Sequence, residues 1–233
     1  MEKFTNMNSP IINIEGVNVH LTDQKIFNNI NLKIEKGEFL YLIGDTGSGK
    51  SSLLKTLYAE LKVTAGKLSV SNIDLTKIKE KEVPTLRRKL GIVFQDFQLL
   101  TDRTVFKNLE FVLTATGWND KNKMSERIEE VLDSVHLEGV KDKMPYELSG
   151  GEQQRAAIAR SLLNHPDIIL ADEPTGNLDP EKSERIIQLL KEINTKGTTV
   201  LIATHDYPII KKYQARTIKC TQQQITEVDP QTL

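Results

Sequence analysis

Thiol chemistry is almost missing from this 233-residue chain, whose one cysteine is Cys220. That excludes an intrachain disulfide and fits a reducing compartment. Cys220 itself is expected to be a small buried strand residue. Neither sign of charge dominates: 31 Lys and Arg stand against 32 Asp and Glu, a formal net charge of -1, so no basic field is available to hold nucleic acid. The run Arg87-Arg88-Lys89 reads as a solvated helix face. No apolar stretch approaches the roughly 18–20 residues needed to span a bilayer, and Met1 to Pro10 lacks a secretory apolar region. A soluble chain is expected. Internal repeats and low-complexity segments are absent too.

What the chain does carry is glycine placed in two meaningful turns. Gly44-Asp45-Thr46-Gly47-Ser48-Gly49-Lys50-Ser51 fits a pattern in which backbone N–H groups wrap phosphate oxygens, the lysine reaches the outer phosphates and the hydroxyl, here Ser51, holds Mg2+. The context agrees. Glu38 to Ile43 is an apolar strand-like run, and Ser51 to Leu57 continues with leucines at helical spacing. The second turn, Leu148-Ser149-Gly150-Gly151-Glu152-Gln153-Gln154-Arg155, opens a helix with apolar Ala156, Ala159 and Leu163. Its hydroxyl and N–H groups can face an anion, although a plain helix cap would look the same in isolation. Two such helix starts imply an ATPase that closes on nucleotide from both sides.

The length allows one substantial core with a satellite subdomain. Near-alternating apolar residues predict strands over Ile11 to Val19 and Ile26 to Ile34, and another over Leu68 to Ile73, followed by a polar helical segment at Ile78 to Leu90. From Thr104 to Leu163 the sequence reads as helices, namely Val105 to Thr116, Met124 to Val135 and Glu152 to Leu163. Asp167 to Ala171 and Thr198 to Ala203 are apolar, β-branched runs flanking the helical Glu181 to Ile193, which predicts a largely parallel sheet. Ala215 to Cys220 and Gln224 to Val228 suggest a closing hairpin.

The run Ile168 to Ala171 delivers Asp172 and Glu173 at its end, where open α/β sheets place ligands. Asp172 suits a Mg2+ shell and Glu173 suits polarising an attacking water. His205 follows the next apolar run and is expected near the same edge; a histidine there is more often structural.

Taken together, these segments resemble the ATP-binding cassette (ABC) ATPases over about residues 11–228. The resemblance implies an α/β P-loop core with a small antiparallel β subdomain and a helical signature subdomain at about 97–163, leaving 1–10 and 229–233 as flexible ends. It implies that Gly44 to Ser52 bind ATP phosphates and that Gln95 is a catalytic residue and Mg2+ ligand. Glu173 and His205 would be catalytic, Ser149, Gly150, Gly151, Gln153 and Asp179 would meet nucleotide, and His20 would take the adenine-stacking position. Two copies would pair head to tail, so that Ser149 and Gly151 complete the site built on Lys50 of the other copy. Asp45 to Lys55, with Phe94-Gln95-Asp96, Leu99-Leu100 and Asp102 to Val105, is most similar to the cell-division branch of the family. That branch implies a membrane partner, the permease FtsX, and Phe97-Gln98-Leu99-Leu100 would border its docking groove. ATPases of lipoprotein release or macrolide export are the near alternative, and a nucleotide-gated septal scaffold with slow turnover is one of another class. With a short stretch after His205, the regulatory domain of the family's sugar importers is not expected.

Overall fold

The computed structural model of the chain describes residues 9–21, 24–221 and 223–233. Its strands are β1 (Ile12–Leu21), β2 (Gln24–Ile34), β3 (Phe39–Ile43), β4 (Val63–Val70), β5 (Ile73–Asp74), β6 (Leu90–Val93), β7 (Ile168–Asp172), β8 (Thr199–Ala203), β9 (Arg216–Thr221) and β10 (Gln224–Val228). The helices are α1 (Lys50–Leu57), α2 (Val83–Arg88), α3 (Val105–Ala115), α4 (Lys121–Ser134), α5 (Gly150–Leu162), α6 (Pro180–Thr195) and α7 (Tyr207–Lys212).

Six strands in the order β10-β9-β3-β8-β7-β6 form the main sheet, parallel except for the β9-β10 hairpin. Alternate residues divide between its two faces. Leu40 and Leu42 enter one apolar cluster with α1 and β1, while Tyr41 and Ile43 enter the other with α3 to α6. A sheet covered on both faces needs continuous apolar strands, which is why β8 is buried at every position. Such a sheet places ligands at the carboxyl ends of its strands.

The second sheet, β2-β1-β4-β5, is antiparallel and matches the expected β subdomain. β4 begins five residues before the predicted Leu68. Gly66 conceals it, because a glycine at φ +88 reads as a turn. A methyl group there would lie 2.3 Å from the carbonyl oxygen of Gly16, so the glycine admits a strand bulge. The predicted strand over Leu68 to Ile73 is also split, since Ser71 and Asn72 both have positive φ and turn β4 into β5. Of the helical segment at 78–90, only α2 is α-helical; a 3-10 turn at Glu80–Glu82 precedes it and Leu90 belongs to β6.

Helices α3, α4 and α5 pack on one another within the expected helical region, and α5 also packs on β6. That contact is close, with a Cβ on Gly91 falling 2.7 Å from the Ser161 carbonyl oxygen. Residues 1–8 lie outside the described residues. At the other end, Pro230–Thr232 forms a 3-10 turn capped by Asp229, and Leu233 packs on the core.

Candidate functional site

The first glycine turn leaves β3 at Ile43 and enters α1 at Lys50. Gly44, Gly47 and Gly49 have φ of +146, +80 and +106, a region that glycine alone enters freely. A methyl group on Gly44 would also lie 2.5 Å from Ser48 Oγ and 2.6 Å from the Cys220 carbonyl oxygen. No side chain caps α1, so its first N–H groups remain available to an anion. Leu53, Leu54 and Leu57 are buried beneath it, each contributing roughly 1.5–3 kcal/mol. The Lys50 side chain is 9% exposed. Its Nζ donates to the Gly44 carbonyl at 2.7 Å and lies 3.8 Å from Glu173 Oε1.

β7 carries Asp172 and Glu173 to this turn. Burial raises the Asp172 carboxyl above its ordinary range, while a hydrogen bond with the Ser51 hydroxyl opposes the shift. Glu173 takes a left-handed φ of +47, and its N–H donates to the Ala203 carbonyl at 2.8 Å. Its carboxylate meets His205 Nδ1 at 2.8 Å and accepts from the His205 N–H at 3.3 Å. Glu173 is 13% exposed and His205 70%. Lys50, Glu173 and His205 thus converge as expected, beside a cleft of about 510 Å³ that Glu173 and His205 line. Gln95 reaches the same region from β6. A methyl group on Gly176 would lie 2.8 Å from Gln95 Nε2, and the Gly176 N–H donates to the Glu173 carbonyl.

His20 is exposed on β1, opposite Lys25. The neighbouring Ile26 and Phe27 lie 3.4 and 3.0 Å from a Cβ built on Gly49. These two wall residues are not in the predicted set, because in the sequence they read only as strand core.

The second glycine turn forms a separate cluster. Ser149 caps α5 and exchanges hydrogen bonds with Glu152, whose carboxylate accepts from the Ser149 hydroxyl at 2.6 Å and from its N–H at 2.8 Å. These bonds hold the Glu152 carboxyl below its usual range. Gln153 donates to the Leu148 carbonyl at 3.1 Å. Cβ atoms built on Gly150 and Gly151 would lie 3.3 Å from Leu178 and from Lys182. Asp179 caps α6 and pairs with Lys182 at 2.6 Å, so the structure groups Asp179 with Ser149 to Gly151. Among the described residues, no hydrogen bond or ion pair joins 44–52 to 148–155.

A groove of about 550 Å³ lies between α2, α3 and α5; of residues 97–100, Gln98 lines it. The Phe97 ring is half-buried and lies 3.9 Å from a Cβ built on Gly150.

Residues 27–176 match the family model described as ABC transporter. The Bacillus subtilis (strain 168) protein named cell division ATP-binding protein FtsE is 48% identical over 194 residues, 83% of this chain and 85% of the relative. The protein of that name from Escherichia coli (strain K12) is 42% identical over 197 residues, 84% and 88% of the two chains. A solved dimer of the ATP-binding cassette MJ0796, in a post-hydrolysis state bound to ADP and Pi, matches with a TM-score of 0.82 at 34% identity. It covers 94% of this chain and 99% of that one.

Proposed function

The chain belongs to the ABC transporter family, and from that premise we propose that it is the ATP-binding and ATP-hydrolysing subunit of a membrane complex serving cell division. The observation that carries the reading is the convergence of Lys50, Glu173 and His205 at the end of the parallel sheet. ATP phosphates occupy the Gly44 to Ser52 turn, where the α1 N–H groups and Lys50 take up their charge. Glu173, freed from Lys50 by the incoming phosphate, orients water and accepts its proton. His205 holds that carboxylate in place.

The residues present fit Mg2+. Ser51, Asp172 and Gln95 offer only oxygen ligands, and the raised Asp172 carboxyl would be relieved by a cation. Bound there, Mg2+ would neutralise phosphate charge during transfer. His20 offers its ring face to adenine.

A second copy supplies Ser149, Gly150, Gly151, Gln153 and Asp179 to the Lys50 site. The support is that these groups sit together in the subunit and are not bonded to its own P-loop. Among the described residues no helix is long and apolar enough to cross a membrane. In this reading the subunit works at the cytoplasmic face of the plasma membrane through a permease, FtsX or one like it, seated in the groove that Gln98 lines. The name carried by the relatives favours cell division over lipoprotein release or macrolide export. The Glu173–His205 contact favours a hydrolysing subunit over a nucleotide-gated septal scaffold with slow turnover.

The test is phosphate release by the purified chain, alone and in membranes with co-expressed FtsX. Stimulated release and copurification with FtsX are expected. No release in either setting, or recovery only with an export permease, overturns the reading.

A further inference from the structure

The chain between Gln95 and α3 turns sharply through Phe97 and Gln98, whose φ values are +58 and +48. Neither residue is one that enters this region readily. The turn is closed by the Gln98 N–H donating to the Asp96 carbonyl at 2.6 Å, and a three-residue turn with positive φ at its centre is rare and strained. Something outside the turn must hold it. Arg160, near the C-terminal end of α5, donates through Nη2 to the Phe97 carbonyl at 2.9 Å and through Nη1 to the Gln98 carbonyl. The guanidinium is committed there at a solvation cost, since burial pulls its pKa down.

The same turn touches the other end of α5, where the Phe97 ring lies beside Gly150. α5 is itself fixed from behind by Arg127, which donates to the Leu162 and Leu163 carbonyls at 2.5 and 3.0 Å. On its other side, Gln95 is tied by Asn177 donating to its carbonyl at 2.9 Å. Gln95 therefore hangs between the turn after Glu173 and the helix that begins at Ser149.

We infer that Arg160 is a positioning residue for Gln95: its fork pins the left-handed Phe97-Gln98 turn to α5, so that displacement of the Ser149 helix is passed to the glutamine. The inference rests on the ATPase reading above. It requires no direct contact between Arg160 and nucleotide.

The test uses the full chain as wild type, Arg160→Met, Arg160→Lys, Gln98→Gly and the double variant Arg160→Met with Gln98→Gly. Arg160→Met is expected to lower kcat about tenfold with the KM for ATP within about twofold. Arg160→Lys, a point charge without the planar fork, recovers only part of the loss. Because glycine enters the left-handed region without the cost a side chain imposes, the double variant is expected to regain most of the turnover. Unchanged kcat in Arg160→Met overturns the inference. So does a loss accompanied by a lower Tm that Gln98→Gly leaves uncorrected, which makes Arg160 a packing residue only. Backbone hydrogen exchange over 94–97, read without nucleotide, separates this result from failure of the ATPase reading. Exchange about tenfold faster in Arg160→Met supports the clamp even if wild type fails to hydrolyse ATP, and unchanged exchange overturns it.

Discussion

The two glycine-rich turns differ in what requires their glycines. In the P-loop the requirement is internal: Gly44 has a φ of +146, and a methyl group there would strike Ser48 and the Cys220 carbonyl. At the head of α5 it is not. Gly150 and Gly151 are the first two residues of the helix and neither has positive φ. The nearest neighbour of a Cβ on Gly151 is the flexible stem of Lys182 at 3.3 Å. An alanine would favour the helix there. A subunit that carries glycine where its own fold does not need it is shaped for something approaching from outside, which is the role proposed for the second copy.

Several variants sharpen that contrast. The largest expected effect is in Glu173→Gln, which keeps the shape of the side chain and removes the base. Turnover should fall by roughly 10²–10⁴ while ATP is retained and holds two copies together. Turnover at the parental rate removes Glu173 from the assigned role. Next comes the glycine pair. Gly44→Ala is expected to destabilise the subunit by about 1–3 kcal/mol through its forced conformation and close contacts, whereas Gly151→Ala should leave the melting temperature equal or higher while weakening ATP-dependent pairing. Equal stability losses in both variants would erase the distinction between the turns.

The smallest effect concerns Asp172. Its folded-state pKa is raised, chiefly by burial, so between the ordinary aspartate pKa and the raised folded one the native state keeps a proton that the unfolded state has already released. Stability therefore falls as pH rises through that window. Asp172→Asn should flatten this limb of the pH–Tm curve by a few degrees, and an unchanged slope would show that the group is not the one titrating.

The residues proposed to carry the chemistry are legible in the sequence because their types suit the proposed roles: Lys50 and Ser51 facing phosphate, Asp172 and Glu173 through their place at a strand end. The parallel sheet was legible from its unbroken apolar runs. Other features left no trace in residue type. The left-handed turns at Phe97, Gln98 and Glu173 are built on residues that carry no turn signal, and they persist because Arg160 and β8 hold them. α7 is only six residues long, with Pro208 in its first turn and Asp206 as its cap, too short to show periodicity. Arg160 and Arg127 read as polar residues of amphipathic helices, although both bond backbone carbonyls distant in sequence.

The central claim, that one copy's Ser149 turn completes the other copy's Lys50 site, is tested most directly by mixing two defective subunits. Lys50→Ala alone should lose ATP-dependent pairing with the phosphate charge partner. Ser149→Arg should bind ATP yet fail to pair, because a bulky cation occupies the helix start, and loss of the cap costs only about 1 kcal/mol of stability. A mixture of the two contains one composite site with both elements intact. The account predicts that ATP restores pairing in the mixture and in neither protein alone; two folded proteins that stay monomeric together would contradict it.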